Sequence, residues 1–195
     1  MMRKMLLLAG AALMMATAAQ AGSPSELSCV AKGYTAEQQT GLDALLPKVD
    51  FLGGSGNDQV MQAFGQIVFA SASSCGEKFS WTNAELEPAM LNEFGRMIEV
   101  GFRRHGVYNA EQIAKIDSTL AKGERSALWK ALEDQVMIGM SGAEITVSDE
   151  NAAVLGAFIF ETGLGMDEKT SEQVGVHLAA KVMQRTSARD FAAQN

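Results

Sequence analysis

Three observations predict an all-α fold. Apolar residues recur at i, i+3 or i+4 and i+7 along most of the chain, side chains that cap helix starts stand before those runs, and Gly or Pro stands near their ends. Only SGAEITVS at 141–148 has strand character; without a strand partner it is read as a loop. At 195 residues and 47% apolar, the chain can build one real core, and this composition excludes a disordered polymer. No repeat, low-complexity run or linker divides it. The expectation is a single compact domain over 22–195, an irregular bundle of six or seven helices.

Thr35 caps the first predicted helix, which runs to about Leu46 and ends or bends at Pro47. Asn57 opens the second over 57–73, with Val60, Met61, Phe64, Ile67 and Val68 on one stripe and an Ala-rich second face. Thr82 and Glu85 form a capping box for a third helix reaching His105, with Pro88 near its start. Asn109 and Gln112 open the fourth, whose inner face is Ile113, Ile116 and Leu120, and Gly123 closes it.

The fifth spans 124–138, with Leu128, Ala131, Leu132 and Val136 inward. Ser148 begins the sixth, whose AAVLGAFIF segment is apolar on every face and predicts the central core helix. Gly163 and Gly165 end it. The last helix runs from about Asp167 to about Ala192, with Val174, Leu178 and Val182 inward. Its opposite side carries Gln173, His177, Lys181 and Gln184, so His177 is expected to face solvent.

The first twenty-one residues read as a secretory signal peptide. Arg3 and Lys4 give a positive start, 5–19 is an uncharged run of apolar and small residues, and Ala19-Gln20-Ala21 matches the small-x-small rule of signal peptidases. Cleavage is expected before Gly22, with a periplasmic or secreted location. No Cys follows the run to take a lipid anchor, and no later stretch is long and apolar enough to span a membrane.

Without Arg3 and Lys4, 14 basic residues face 23 acidic ones, a net −9. That charge excludes nucleic-acid binding by a basic footprint and disfavours an anionic lipid surface. Five of the twelve Met residues also leave, and the rest are too scattered for a soft-metal cluster.

Cys29 and Cys75 are the only cysteines. In an oxidising compartment they pair as a structural disulfide pinning the arm GSPSELSC to the body. They lack the C-x-x-C spacing of a redox pair, and Cys75 is expected to follow a helix C-terminus, the wrong end for a reactive thiol.

Catalytic signatures are missing. H-E-x-x-H, paired E-x-x-H, G-x-S-x-G and calcium-loop spacings do not occur, and GGSGN at 53–57 lacks the Lys-Ser/Thr of a phosphate loop. No cofactor or metal is expected. Glu99 with Arg103, and Glu111 with Lys115, read as i, i+4 surface pairs. His105 stands at a helix C-terminus, where it can cap terminal carbonyls. Together with Arg104, and with Arg103 and Tyr108 nearby, it is the candidate anion-binding site. Function is read as a non-enzymatic interaction or small-ligand-binding module for an unknown protein or small molecule. The alternative is a carboxylate-dependent hydrolase of cell-envelope sugar, with Glu85, Glu87, Glu93 or Glu144 as acid.

Overall fold

The computed structural model describes residues 22–49, 58–106, 108–140 and 146–194. The signal-peptide reading of 1–21, the Asn57 cap with its GGSGN turn, and Glu144 lie outside the described residues. Eight α-helices and no strand occur among the described residues. They are α1 (Ser28–Lys32), α2 (Ala36–Leu45), α3 (Asp58–Phe79), α4 (Asn83–His105), α5 (Ala110–Leu120), α6 (Ser126–Met140), α7 (Asp149–Thr162) and α8 (Glu168–Ala192). Short 3-10 turns precede α1 (Pro24–Leu27) and follow α2 (Leu46–Lys48). None of these helices is long and apolar enough to cross a membrane.

Local chemistry sets most helix starts. The Thr35 hydroxyl accepts from the Gln38 N–H while the Gln38 side chain accepts from the Thr35 N–H, and Asn109 and Gln112 repeat that reciprocal box. Ser148 and Asp167 accept from the N–H groups three residues on, at the starts of α7 and α8. Gly163 ends α7 at φ +68°, a conformation that side chains with a Cβ resist.

The long antiparallel pair α4 and α8 forms the spine. They pack tightly at Gly95, where a Cβ would lie 2.8 Å from the Ala180 carbonyl oxygen and 2.9 Å from Met183 Cβ. The Asn92 amide crosses the same seam and donates to the Gln184 carbonyl at 2.8 Å. On one side of the spine, Leu42, Leu46, Phe64, Val68 and Met97 pack α2 and α3 onto α4. On the other, Ile116, Leu128, Leu132, Phe158, Val174 and Leu178 join α5, α6, α7 and α8.

The fold departs from the sequence reading at four places. The N-terminal arm is itself ordered as a 3-10 turn and α1, which accounts for eight helices where six or seven are predicted. Cys29 and Cys75 are joined, with Cα atoms 6.0 Å apart, but Cys75 lies inside α3, which continues to Phe79. The predicted central helix, α7, is peripheral. It buries Phe158, Ile159 and Thr162 and leaves Ala153, Ala157 and Phe160 exposed; the small Ala residues made its outer face read as apolar although little of that face is covered. His177 is fully buried, since α4 and α5 cover the polar side of α8.

Candidate functional site

Three polar constellations and one cleft carry the side chains capable of chemistry. The largest constellation fills the seam between α4, α5 and α8. Glu99 accepts from Lys181 at 2.7 Å, Gln184 at 2.9 Å and Arg103 at 2.8 Å, and Arg103 also reaches Asp117 at 2.6 Å. Burial pushes the Glu99 carboxyl up, but the hydrogen bonds from Lys181, Gln184 and Arg103 outweigh it and hold the group down at about 2. Glu99 and Arg103 are therefore part of a helix-joining network, where the i, i+4 spacing had predicted only a surface pair.

His177 completes the seam. Its Nε2 lies 2.8 Å from Asp117 Oδ1, and its ring packs 5.1 Å from that of Phe102. Burial pulls its pKa below the usual value, outweighing the Asp117 carboxylate, so the imidazole is neutral with Nε2–H donating. Nδ1 is buried without a hydrogen-bond partner. A His–Asp dyad can move protons, but this ring has no exposed surface through which a substrate could reach it. The seam is structural.

A second constellation locks the α1–α2 connection onto α4. The Tyr34 hydroxyl donates to Glu93 Oε1 at 2.7 Å, and Arg96 holds both Glu93 oxygens at 2.6 and 2.7 Å. Burial raises the Tyr34 pKa far above its usual value, and Glu93 adds to the shift. The third constellation is at Glu85, which is buried and accepts from Thr82 and from the backbone of Gly22. Two of the carboxylates considered as acids, Glu85 and Glu93, are thus committed to internal hydrogen bonds.

The residues considered for anion binding are distributed as follows. Arg104 donates to Asp43 at 2.9 Å, with both side chains about half exposed, and His105 is exposed at the last position of α4. Arg103 faces the seam, away from Arg104's partner. The Tyr108 hydroxyl donates to the Thr170 carbonyl, and its ring packs edge-on to Phe102. Arg104 and His105 therefore stand without the other two.

The cleft is the feature that sequence reasoning missed. It has a volume of about 450 Å³ between α4, α6 and α8. Pro88 and Leu91, Val136 and Met137, and Val182 and Met183 supply an apolar floor, two residues from each helix. Its rim carries Glu87, Glu133, Arg189 and Asp190, and Arg189 is already held by Glu133 at 3.2 Å and Asp190 at 3.1 Å. Thr186 also lines it, with its hydroxyl oxygen buried beneath the surface and without a hydrogen-bond partner. No three His, Cys, Asp or Glu side chains among the described residues converge in a way that could hold a metal ion.

No protein-family model, curated protein or solved structure matches this chain.

Proposed function

We propose that this chain is an exported, non-catalytic binding module whose cleft takes a small apolar molecule with a cationic end. The observation that carries the reading is the cleft itself. Its volume of about 450 Å³ falls within the range typical of small-ligand sites, about 300–1,000 Å³, and an apolar floor with few polar groups is their usual lining. Met137 and Met183 can adapt to an apolar occupant. Three rim carboxylates, two of them holding the one arginine, leave the rim net negative, which favours a cation.

Export rests on the pattern of residues 1–21, and the Cys29–Cys75 bond is consistent with an oxidising compartment. Titration with octylammonium, octanol and octyl sulfate below their micelle concentrations tests the cleft. Octylammonium should bind saturably and raise the melting temperature, octyl sulfate should not, and Met137→Arg should abolish the effect. Met137 is 59% exposed, so that variant leaves the core intact. Equal binding of all three probes, or binding that survives Met137→Arg, removes the cleft from consideration.

A further inference from the structure

Glu85 is 4% exposed, and no described Lys, Arg or His makes an ion pair with it. Its Oε2 accepts from the Thr82 N–H at 2.7 Å and the Thr82 hydroxyl at 2.9 Å, closing the cap of α4. Its Oε1 accepts from the backbone nitrogen of Gly22 at 3.0 Å. A carboxylate taken out of water and met only by neutral dipoles is a costly arrangement, and a cation at one of those donors would relieve it.

The slot around Gly22 fits no other residue. A Cβ there would lie 2.6 Å from Phe191 Cζ and 2.7 Å from Glu85 Oε1. The segment that follows is fastened at each step. The Trp81 indole donates to Glu26 at 2.9 Å, Leu27 is buried with Ala89 and Phe191, and Cys29 is bonded to Cys75. Gly22 is also the residue directly after Ala19-Gln20-Ala21.

We propose that Glu85 is a receptor for a new N-terminus at Gly22, so that removal of the leader completes an ion pair between the Gly22 α-ammonium and Glu85 at the start of α4, beside Phe191 of α8. The inference rests on reading 1–21 as a leader. Hydrolysis of the Ala21–Gly22 peptide bond consumes one water. Ala21 departs with the carboxylate, and the Gly22 nitrogen, protonated in neutral water, becomes an α-ammonium. The same atom that donates as a peptide N–H in the uncut chain then donates as a cation. A charge-assisted bond of this kind is roughly twice as strong as its neutral counterpart. Leader removal thereby tightens residues 22–32 over the spine.

N-terminal sequencing of the protein recovered from an exporting cell comes first, and it should begin at Gly22. That chain is then compared with one retaining Ala21 as a single extra residue, each with Glu85 or with Glu85→Gln, by urea unfolding. The extra residue should lower the folding equilibrium constant of the Glu85 chain by about tenfold or more, and that of the Glu85→Gln chain by less than about threefold. Should Glu85→Gln fail to fold, the unaltered exported chain still decides. Its α-amine should react with cyanate at least about tenfold more slowly when folded than in urea. Equal losses in both backgrounds, or equal cyanate rates, overturn the ion pair while the leader reading stands. A start elsewhere than Gly22 overturns both.

Discussion

The fully buried imidazole of His177 donates across 2.8 Å to Asp117, sixty residues earlier in the chain, and so ties α8 to α5 beneath α4. Asp117 in turn accepts from Arg103 at its other oxygen, and Lys181 lies 3.8 Å from the oxygen that His177 reaches. The arrangement requires a neutral ring, because burial disfavours the charged form more than the carboxylate favours it.

Stability should therefore fall in two acid steps. His177 has a folded pKa below its unfolded value of about 6.5, so its contribution is complete above that pH and is lost as pH falls toward the folded value. Glu99 is depressed from 4.5 to about 2, so its contribution is complete above 4.5 and is lost between there and 2. Urea midpoints measured from pH 8 to pH 2 should show both steps. His177→Gln should remove the upper one, and Glu99→Gln should shrink the lower one, to which the lowered Asp117 also contributes, at a cost of about 1–3 kcal/mol at neutral pH. Superimposable pH profiles for the three proteins would show that the seam does not control acid stability.

Two glycines in helix interiors should respond oppositely to alanine. Gly95→Ala places a Cβ 2.8 Å from a backbone oxygen of α8, which cannot move aside as a side-chain tip can, and should cost about 1–3 kcal/mol. Gly156 in α7 has nothing within 4 Å, so Gly156→Ala should gain about 0.5–1 kcal/mol from helix propensity and the unfolded state. Calorimetric melting of both variants checks the pair. A Gly95→Ala variant as stable as the parent, or more so, would contradict the close approach of α4 and α8.

What the sequence made legible was local. Thr35 with Gln38, and Asn109 with Gln112, announce helix starts because each partner is three residues away. His177 was misread because a polar stripe on α8 looks the same whether water or distant side chains satisfy it. Its actual cover comes from Asp117 and Glu99, 60 and 82 residues from His177 and Lys181. The α1 segment was missed for a related reason. Five residues are too few for a periodic signal, and a buried Val30 together with the disulfide holds them. The cleft needs Leu91, Met137 and Met183 from three helices, and no spacing in one helix encodes that meeting.

The Tyr34–Glu93–Arg96 cluster should behave as a unit. Tyr34→Phe removes one hydroxyl from a carboxylate that is only 2% exposed, leaving Arg96 as its partner, and should cost about 1–2 kcal/mol. Arg96→Met strands the buried charge and should cost more, about 3–5 kcal/mol. A double-mutant cycle on urea unfolding measures their coupling. Additive losses would mean that the two contacts act independently on Glu93.

The disulfide ties α1 to α3, and its removal should be felt chiefly in α1. It closes a 46-residue loop between α1 and α3, which the chain-entropy treatment values at roughly 4 kcal/mol. The contacts left to hold α1 once the bond is cut are few. Val30 packs in a small cluster with Ala72, and the Val30 carbonyl accepts from the Ser71 hydroxyl at 2.8 Å. The double variant Cys29→Ser/Cys75→Ser should therefore unfold at a lower urea concentration by an amount corresponding to about 2–4 kcal/mol. Hydrogen exchange should report where that loss is felt, with amides of α1 losing protection well before those of α4 and α8. Uniform loss of protection across all eight helices would instead mean that α1 unfolds only together with the whole bundle, and that the bond acts on the unfolded chain alone.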